Sequence, residues 1–297
     1  MGGMTRRDFA ALAGAGLLAG PALAQTAQPL LMRAIPSSGE RIPAVGLGTA
    51  SIFNRADEAT HAKAAAVIKS LTGNGGKLID TASTYGEAEV VMGDEIAKAS
   101  LRDKVFIATK TEEPDLAEFK RSLARLKTAK VDLLQLHNVN SSKHSLARYR
   151  DWKAQGLCRY IGVTSTFHSD FAAVETALRQ EKPDFVQVDY SIDVREAEKR
   201  ILPLAAEMKA GVLTALPFGR NRLFRAVRGK ALPDWAGGFA QSWAQFFLKY
   251  LLADTRVTAV IPGTGDPEHM IDNLGAMRGR LPDAKERAQM VAFIDAL

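Results

Sequence analysis

The chain has 297 residues, 24% of them charged and 46% hydrophobic, and a formal net charge of +6. That length supports one large core. The small basic excess, without lysine blocks interleaved with aromatics, argues against a nucleic-acid binder and suits an anionic small ligand. A single cysteine, Cys158, leaves no internal disulfide, and its apolar neighbours Tyr160-Ile161-Gly162-Val163 mark it as a small buried hydrophobe.

The first 24 residues read as a targeting segment rather than as part of a fold. Thr5-Arg6-Arg7-Asp8-Phe9 is a twin-arginine pattern, an uncharged apolar stretch follows to Ala24, and Ala22-Leu23-Ala24 is a small-x-small cleavage site. The apolar stretch is short for a span, which needs about 20 residues. The expectation is a twin-arginine signal cleaved after Ala24, export of the folded protein through that translocase to the periplasm, and no stable membrane anchor. This route carries proteins already folded, often with a cofactor bound. Losing Arg6, Arg7 and Asp8 takes one from the net charge.

Residues 30–42 predict a small hairpin with Pro36-Ser37-Ser38-Gly39 as its turn. The chain then alternates short apolar runs with longer stretches of helical period. The runs fall at 45–48, 78–79, 105–108, 131–136, 160–163, 185–188, 212–215 and 257–261. The helical stretches fall near 58–72, 87–100, 115–127, 144–156, 169–180, 196–209, 239–253 and 267–278, with one more near 283–296. Eight strand–helix units over this length predict a single-domain (β/α)8 TIM barrel across residues 25–297. A doubly wound sheet competes, but it wants G-x-G-x-x-G after its first strand. Gly46-Leu47-Gly48-Thr49-Ala50-Ser51 lacks the third glycine. The longest irregular stretch, 217–238, is basic through Arg220, Arg222, Arg225, Arg228 and Lys230, and sits where barrels commonly bind phosphate. A solvated charge run would look the same.

In such a barrel the strand ends share one mouth. The second strand ends at Asp80, with Tyr85 five residues on. The third ends in Thr109-Lys110, the fourth in His137-Asn138, the fifth in Thr164-Ser165, the sixth carries Gln187, and the eighth leads into Gly263-Thr264-Gly265. A capping Asp, a plugging Tyr or a core His would each be ordinary alone. Together they suggest chemistry. Lys110 inside a mouth needs the counter-charge that Asp80 can supply. The field of Lys110 is expected to lower the pKa of Tyr85 and make it a usable general acid. His137 is expected to donate a hydrogen bond to a carbonyl oxygen lying between it and Tyr85. No Cys/His cluster has metal-ligand spacing, and no G-x-S-x-G elbow supports a hydrolase.

These residues carry a resemblance to the aldo/keto reductases. The motifs are Gly46-Leu47-Gly48-Thr49, Asp80-Thr81-Ala82 with Tyr85-Gly86, Thr109-Lys110, Leu133-Leu134-Gln135-Leu136-His137, Gly162-Val163-Thr164-Ser165, Gln187, and Ile261-Pro262-Gly263-Thr264 continuing to Asp272-Asn273. The resemblance implies reduction of an aldehyde or ketone by hydride from NADPH, with NADH as the alternative. It implies that Tyr85 donates the proton, that Asp80 and Lys110 tune it, and that His137 orients the carbonyl. Dinucleotide contacts fall at Gly48, Thr49, Ser165, Gln187, Pro217, Phe218, Gly219, Gly263, Thr264, His269 and Asn273. A small carbonyl substrate and a monomer are expected.

The sequence departs from the family pattern at four places. Gly263 replaces a lysine, and His269 an arginine, that contact the 2′-phosphate, so charge-assisted recognition is weakened. Ser165 stands where Asn is usual. Ala215 stands where an aromatic stacks on the nicotinamide, leaving Phe218, another ring or none to substitute. The short loop 139–143 suggests an open substrate site, and Asn138 is a polar addition expected to tighten substrate choice. Two other readings remain at this point: a cofactor-binding sensor or partner subunit with little turnover, and a lyase or isomerase using Lys110 as a Schiff-base nucleophile.

Overall fold

The structure, a computed structural model, describes residues 28–140, 143 and 145–297. The expected export signal at 1–24 and His144 lie outside the described residues. Strands β1 (Met32–Ala34) and β2 (Arg41–Pro43) pair antiparallel as the predicted hairpin. There follow β3 (Leu47–Gly48), α1 (Glu58–Gly73), β4 (Leu78–Asp80), α2 (Ala88–Lys98), β5 (Phe106–Thr111), α3 (Leu116–Arg125), β6 (Val131–Leu136), α4 (Ala147–Ala154), β7 (Cys158–Ser165), α5 (Phe171–Glu181), β8 (Phe185–Asp189), α6 (Glu196–Glu207), β9 (Gly211–Ala215), α7 (Arg222–Ala226), α8 (Trp243–Leu252), β10 (Val257–Val260), α9 (Pro267–Gly275) and α10 (Ala284–Asp295).

Strands β3 to β10 form one sheet in sequence order, each pair parallel. The first and last strands meet. Gly46 N and Gly48 N each donate over 2.9 Å to Val260 O and Pro262 O, and Val260 N donates over 2.9 Å to Ala44 O. The sheet therefore closes on itself, as a (β/α)8-like barrel requires. All eight predicted strands and nine predicted helices are present. The irregular stretch after β9 also holds the short α7 and a 3₁₀ turn at Asp234–Ala236.

Burial explains why the pattern was readable. Every residue of β5 and β6 is buried, because one face meets the helices and the other the barrel interior. Helices start at Asp57, Asp115, Ser242, Asp266 and Asp283, whose side chains accept from first-turn N–H groups. Inside the barrel, Leu78, Phe106, Ala108, Leu133, Tyr160, Phe185, Leu213 and Ala259 pack against Ile35 and Ile42 of the hairpin. The hairpin thus plugs the end opposite the mouth. Moving along the strands, inward positions turn polar: Lys110 pairs in register with Gln135, Gln135 with Gly162, and Thr164 with Gln187. Gly162 faces Gln135, and a Cβ there would sit 3.0 Å from Gln135 Cγ. The apolar end holds the fold together and the polar end lines the mouth.

Candidate active site

A cavity of about 800 Å³ opens at the C-terminal ends of the strands. Asp80 ends β4, Lys110 lies in β5, Tyr85 sits in the loop before α2, and His137 directly follows β6. All four line the cavity. Lys110 Nζ lies 2.7 Å from Asp80 Oδ2 and 2.7 Å from the carbonyl of Thr81. Asp80 is 4% exposed and Lys110 1%. An ion pair so deep persists only because each partner neutralises the other. Gln187 Nε2 adds a 3.3 Å bond to Asp80 Oδ2, and its own Oε1 accepts from Gln135 Nε2 at 2.8 Å.

Tyr85 lies over this pair, with Lys110 Nζ 5.0 Å from its ring centroid. Its loop is tied down: Ser83 N donates to Lys110 O at 3.0 Å and Ser83 Oγ to Glu118 Oε1 at 2.6 Å. One expectation is corrected here. Burial pushes the phenol of Tyr85 above its ordinary pKa, and the Lys110 ammonium offsets only part of that rise. Tyr85 therefore holds its proton at neutral pH instead of sitting near neutrality. Lys110 moves the opposite way to a buried amine on its own. Burial pulls it down, but Asp80 and Tyr85 outweigh that and hold it up. It stays an ammonium, so a Schiff-base role, which needs the free amine, loses its support.

His137 stands edge-on to Tyr85, with ring centroids 5.8 Å apart. Its Nδ1 meets the carboxylate of Glu112, the first residue after β5. Burial and the Lys110 ammonium push the ring below its ordinary pKa, with Glu112 opposing. A carboxylate only accepts, so the hydrogen in this contact sits on Nδ1. While neutral, the ring then has no hydrogen on Nε2 to donate, contrary to the expected donation to a carbonyl. Glu112 was missed in the sequence. The available signal was an acid two residues beyond Lys110 at a strand end.

The other expected site residues divide. Gly48, Gln187, Pro217, Phe218 and Gly263 line the cavity, as does Arg220 from the basic stretch. Thr49, Ser165, Gly219, Thr264, His269 and Asn273 lie outside that lining. The Thr49 hydroxyl donates to Asp80 O at 3.0 Å, and the Ser165 hydroxyl to Asp170 Oδ2 at 3.0 Å. Thr264 Oγ1 accepts from Asp266 N at 3.1 Å beside the start of α9. His269 lies in the first turn of α9, and Asn273 is buried further along it. The Phe218 ring at the cavity wall also packs against two other rings. Its centroid lies 4.8 Å from that of Phe224 and 6.4 Å from that of Phe247, in an aromatic cluster under the loop. Arg222 pairs with Asp193 at 2.6 Å, so of the basic stretch Arg220 alone lines the cavity. Leu216, Arg220 and Asn221 have positive φ, strain of the kind that collects in functional loops, and Gly219 between them takes it without cost. Asn138 also has positive φ and lines the cavity, and its N–H donates to Thr164 Oγ1 at 3.3 Å.

Cys158 is buried as expected, and burial pushes its thiol up to about 12. Among the described residues no helix is long and apolar enough to cross a membrane.

The aldo/keto reductase family profile matches residues 44–294, nearly the whole barrel with its paired Asp80 and Lys110. The chain belongs to the aldo/keto reductase family. It is accordingly an NAD(P)H-dependent oxidoreductase that reduces carbonyl compounds. It is 27% identical over 257 residues to the methylglyoxal reductase YeaE of Escherichia coli, covering 82% of this chain and 88% of that one. It is 25% identical over 292 residues to an uncharacterized oxidoreductase, YqkF, of Bacillus subtilis, covering 84% and 91%. An aldo/keto reductase from Klebsiella pneumoniae, solved with NADP and acetate, superposes with a TM-score of 0.74 at 25% identity over 86% of this chain and 93% of its own. The thermostable aldo-keto reductase Tm1743, solved with the inhibitor epalrestat, gives 0.75 at 28% over 89% and 99%.

Proposed function

We propose that this reductase converts a small aldehyde or ketone to an alcohol with Tyr85 as the proton donor and NADPH as the cofactor. The observation that carries the reading is the buried Asp80–Lys110 pair, 2.7 Å apart, beneath a protonated Tyr85 at the mouth of a closed barrel. Tyr85 gives its proton to the carbonyl oxygen. The Lys110 ammonium stabilises the phenolate this leaves, and Asp80 keeps Lys110 charged and in place. His137 orients the substrate beside Tyr85.

The residues present fit a dinucleotide. The cavity of about 800 Å³ is lined by Gly48, Gly263 and Asn138, and Arg220 supplies a cation. At Gly263 a Cβ would come within 3.0 Å of Ile52 Cδ1, so a side chain there would narrow the cleft. When bound, the nicotinamide supplies the hydride. Gln187 holds the carboxamide, with Ser165 and Thr49 shaping the wall behind it. Gly48, Pro217, Phe218, Gly219 and Gly263 admit the chain of the cofactor. Thr264, His269 and Asn273 serve its adenosine end, where backbone N–H groups at the start of α9 favour phosphate. The Klebsiella pneumoniae relative solved with NADP supports NADPH over NADH.

Purified protein is expected to oxidise NADPH in the presence of an aldehyde panel, and Tyr85→Phe to lose about 10²–10⁴-fold in kcat while still binding NADPH by fluorescence. Failure to bind either dinucleotide would sink the reading. We also propose that residues 1–24 direct periplasmic export and are cleaved after Ala24, and that the protein acts as a monomer. Periplasmic activity that survives Arg6→Lys with Arg7→Lys would rule out the twin-arginine route, and the mass from light scattering tests the monomer.

A further inference from the structure

Glu112 borders the site, and the chemistry above leaves it without a role. Its carboxylate meets Nδ1 of His137. Lys143 holds it from the other side, with Nζ 3.4 Å from Glu112 Oε2 and 2.6 Å from Glu112 O. Thr84 Oγ1 lies 3.5 Å from both Glu112 Oε1 and His137 Nδ1. The groups facing the His137 ring are therefore Glu112 and Lys110 from β5 and its end, Asp80 and Tyr85 from β4 and its loop, and Lys143 behind Glu112. Burial pushes Glu112 up, but His137 and Lys143 outweigh it and hold the carboxyl low. It is ionised at neutral pH and can only accept. The neutral ring then carries its one hydrogen on Nδ1.

The consequence falls on Nε2. It keeps a lone pair, and among the described residues it makes no hydrogen bond. Beside it stands Tyr85, which holds a proton. With the two rings edge-on and their centroids 5.8 Å apart, the mouth presents a donor on one ring and an acceptor on the other. A plain carbonyl uses only the donor. A carbonyl with a hydroxyl on the adjacent carbon uses both, its carbonyl oxygen accepting from Tyr85 and its hydroxyl donating to Nε2.

We propose that Glu112 is a positioning residue that holds His137 in the Nδ1–H tautomer, and that the Nε2 acceptor so created makes this reductase select α-hydroxy carbonyl compounds over plain ones. The proposal rests on the reading in which Tyr85 is the donor. It is tested first on the cofactor-free full-length protein with ¹⁵N-labelled histidine, His137 being assigned by loss of its signals in His137→Gln. The expected spectrum at pH 7.5 has a protonated Nδ1 and an unprotonated Nε2, and Glu112→Met moves hydrogen to Nε2. The second arm compares kcat/KM for hydroxyacetone and for butanone, which have the same number of heavy atoms. Their ratio is expected to fall about three- to tenfold in Glu112→Met, the worth of one hydrogen bond. In the wild type the ratio also falls as pH drops through the His137 pKa, because the imidazolium has no acceptor left. In Glu112→Met that pH dependence flattens. An Nε2–H tautomer in the wild type, or an unchanged ratio in the variant, overturns the proposal. If no carbonyl is reduced at all, the reading of Tyr85 fails instead, while the nitrogen spectrum still reports on Glu112.

Discussion

Lys110 shows how much one side chain carries at this mouth. It is 1% exposed and bonded to Asp80 and to the Thr81 carbonyl. Lys110→Met leaves Asp80 as a buried carboxylate without its counter-ion. Loss of one partner of a buried pair costs about 3–5 kcal/mol, so the urea midpoint is expected to drop accordingly at pH 7. The loss comes from the uncompensated charge, so adding Asp80→Asn to Lys110→Met is expected to recover most of it. A double variant as unstable as Lys110→Met alone would mean that the charge is not its cause. Asp80, Tyr85, Lys110 and His137 were all legible in the sequence, because each follows directly from a strand end or its loop. Glu112 was less so, since its meaning depends on His137, 25 positions away, arriving beside it.

Among the elements, α2 and α3 show how the Tyr85 loop is held. Gly93 of α2 faces the end of α3 so closely that a Cβ would sit 2.1 Å from Arg125 O and 2.7 Å from Leu126 Cα. Backbone stands on the far side, so nothing flexible can give way. Arg125 in turn reaches the loop, its Nη1 3.3 Å from Ser83 O. Gly93→Ala is expected to push the helices apart, costing about 1–3 kcal/mol as overpacking does, and to lower kcat through displacement of Tyr85. An unfolding midpoint matching the wild type would show that the helices separate without cost. The strands and helices themselves were readable because their periods are local. The short α7 was not, since its five residues lie in a basic loop without an apolar period.

For the whole molecule, the question is what a ligand adds to a closed barrel. A dinucleotide that binds only the folded chain stabilises it by about 2.7 kcal/mol at a hundred times its Kd. For a domain of this size that corresponds to an upward shift in Tm of roughly 5–10 °C. NADPH is expected to give the larger shift and NADH the smaller in a thermal melt at equal concentration. Equal shifts would mean that the 2′-phosphate is not recognised, in keeping with Gly263 and His269 in place of the family's cations. The closure of β3 against β10, through Gly46, Gly48 and Val260, is what brings the first and last strands to one mouth.

The amino-acid sequence by itself determined the alternation of eight strands with helices, the hairpin before them, and the placing of Asp80, Tyr85, Lys110 and His137 at strand ends. Those follow from periodicity and from neighbours in the chain, which any segment carries with it. The tertiary structure decided the chemistry of those side chains. Burial keeps the proton on Tyr85 despite the Lys110 ammonium, Asp80 keeps Lys110 charged, and Glu112 selects which nitrogen of His137 is protonated. It also packed Phe218, at the cavity wall, into an aromatic cluster and engaged the hydroxyls of Thr49 and Ser165. The physical reason is common to all of these. Desolvation and hydrogen-bond partners are set by which strands lie side by side, and that is fixed only when the barrel closes.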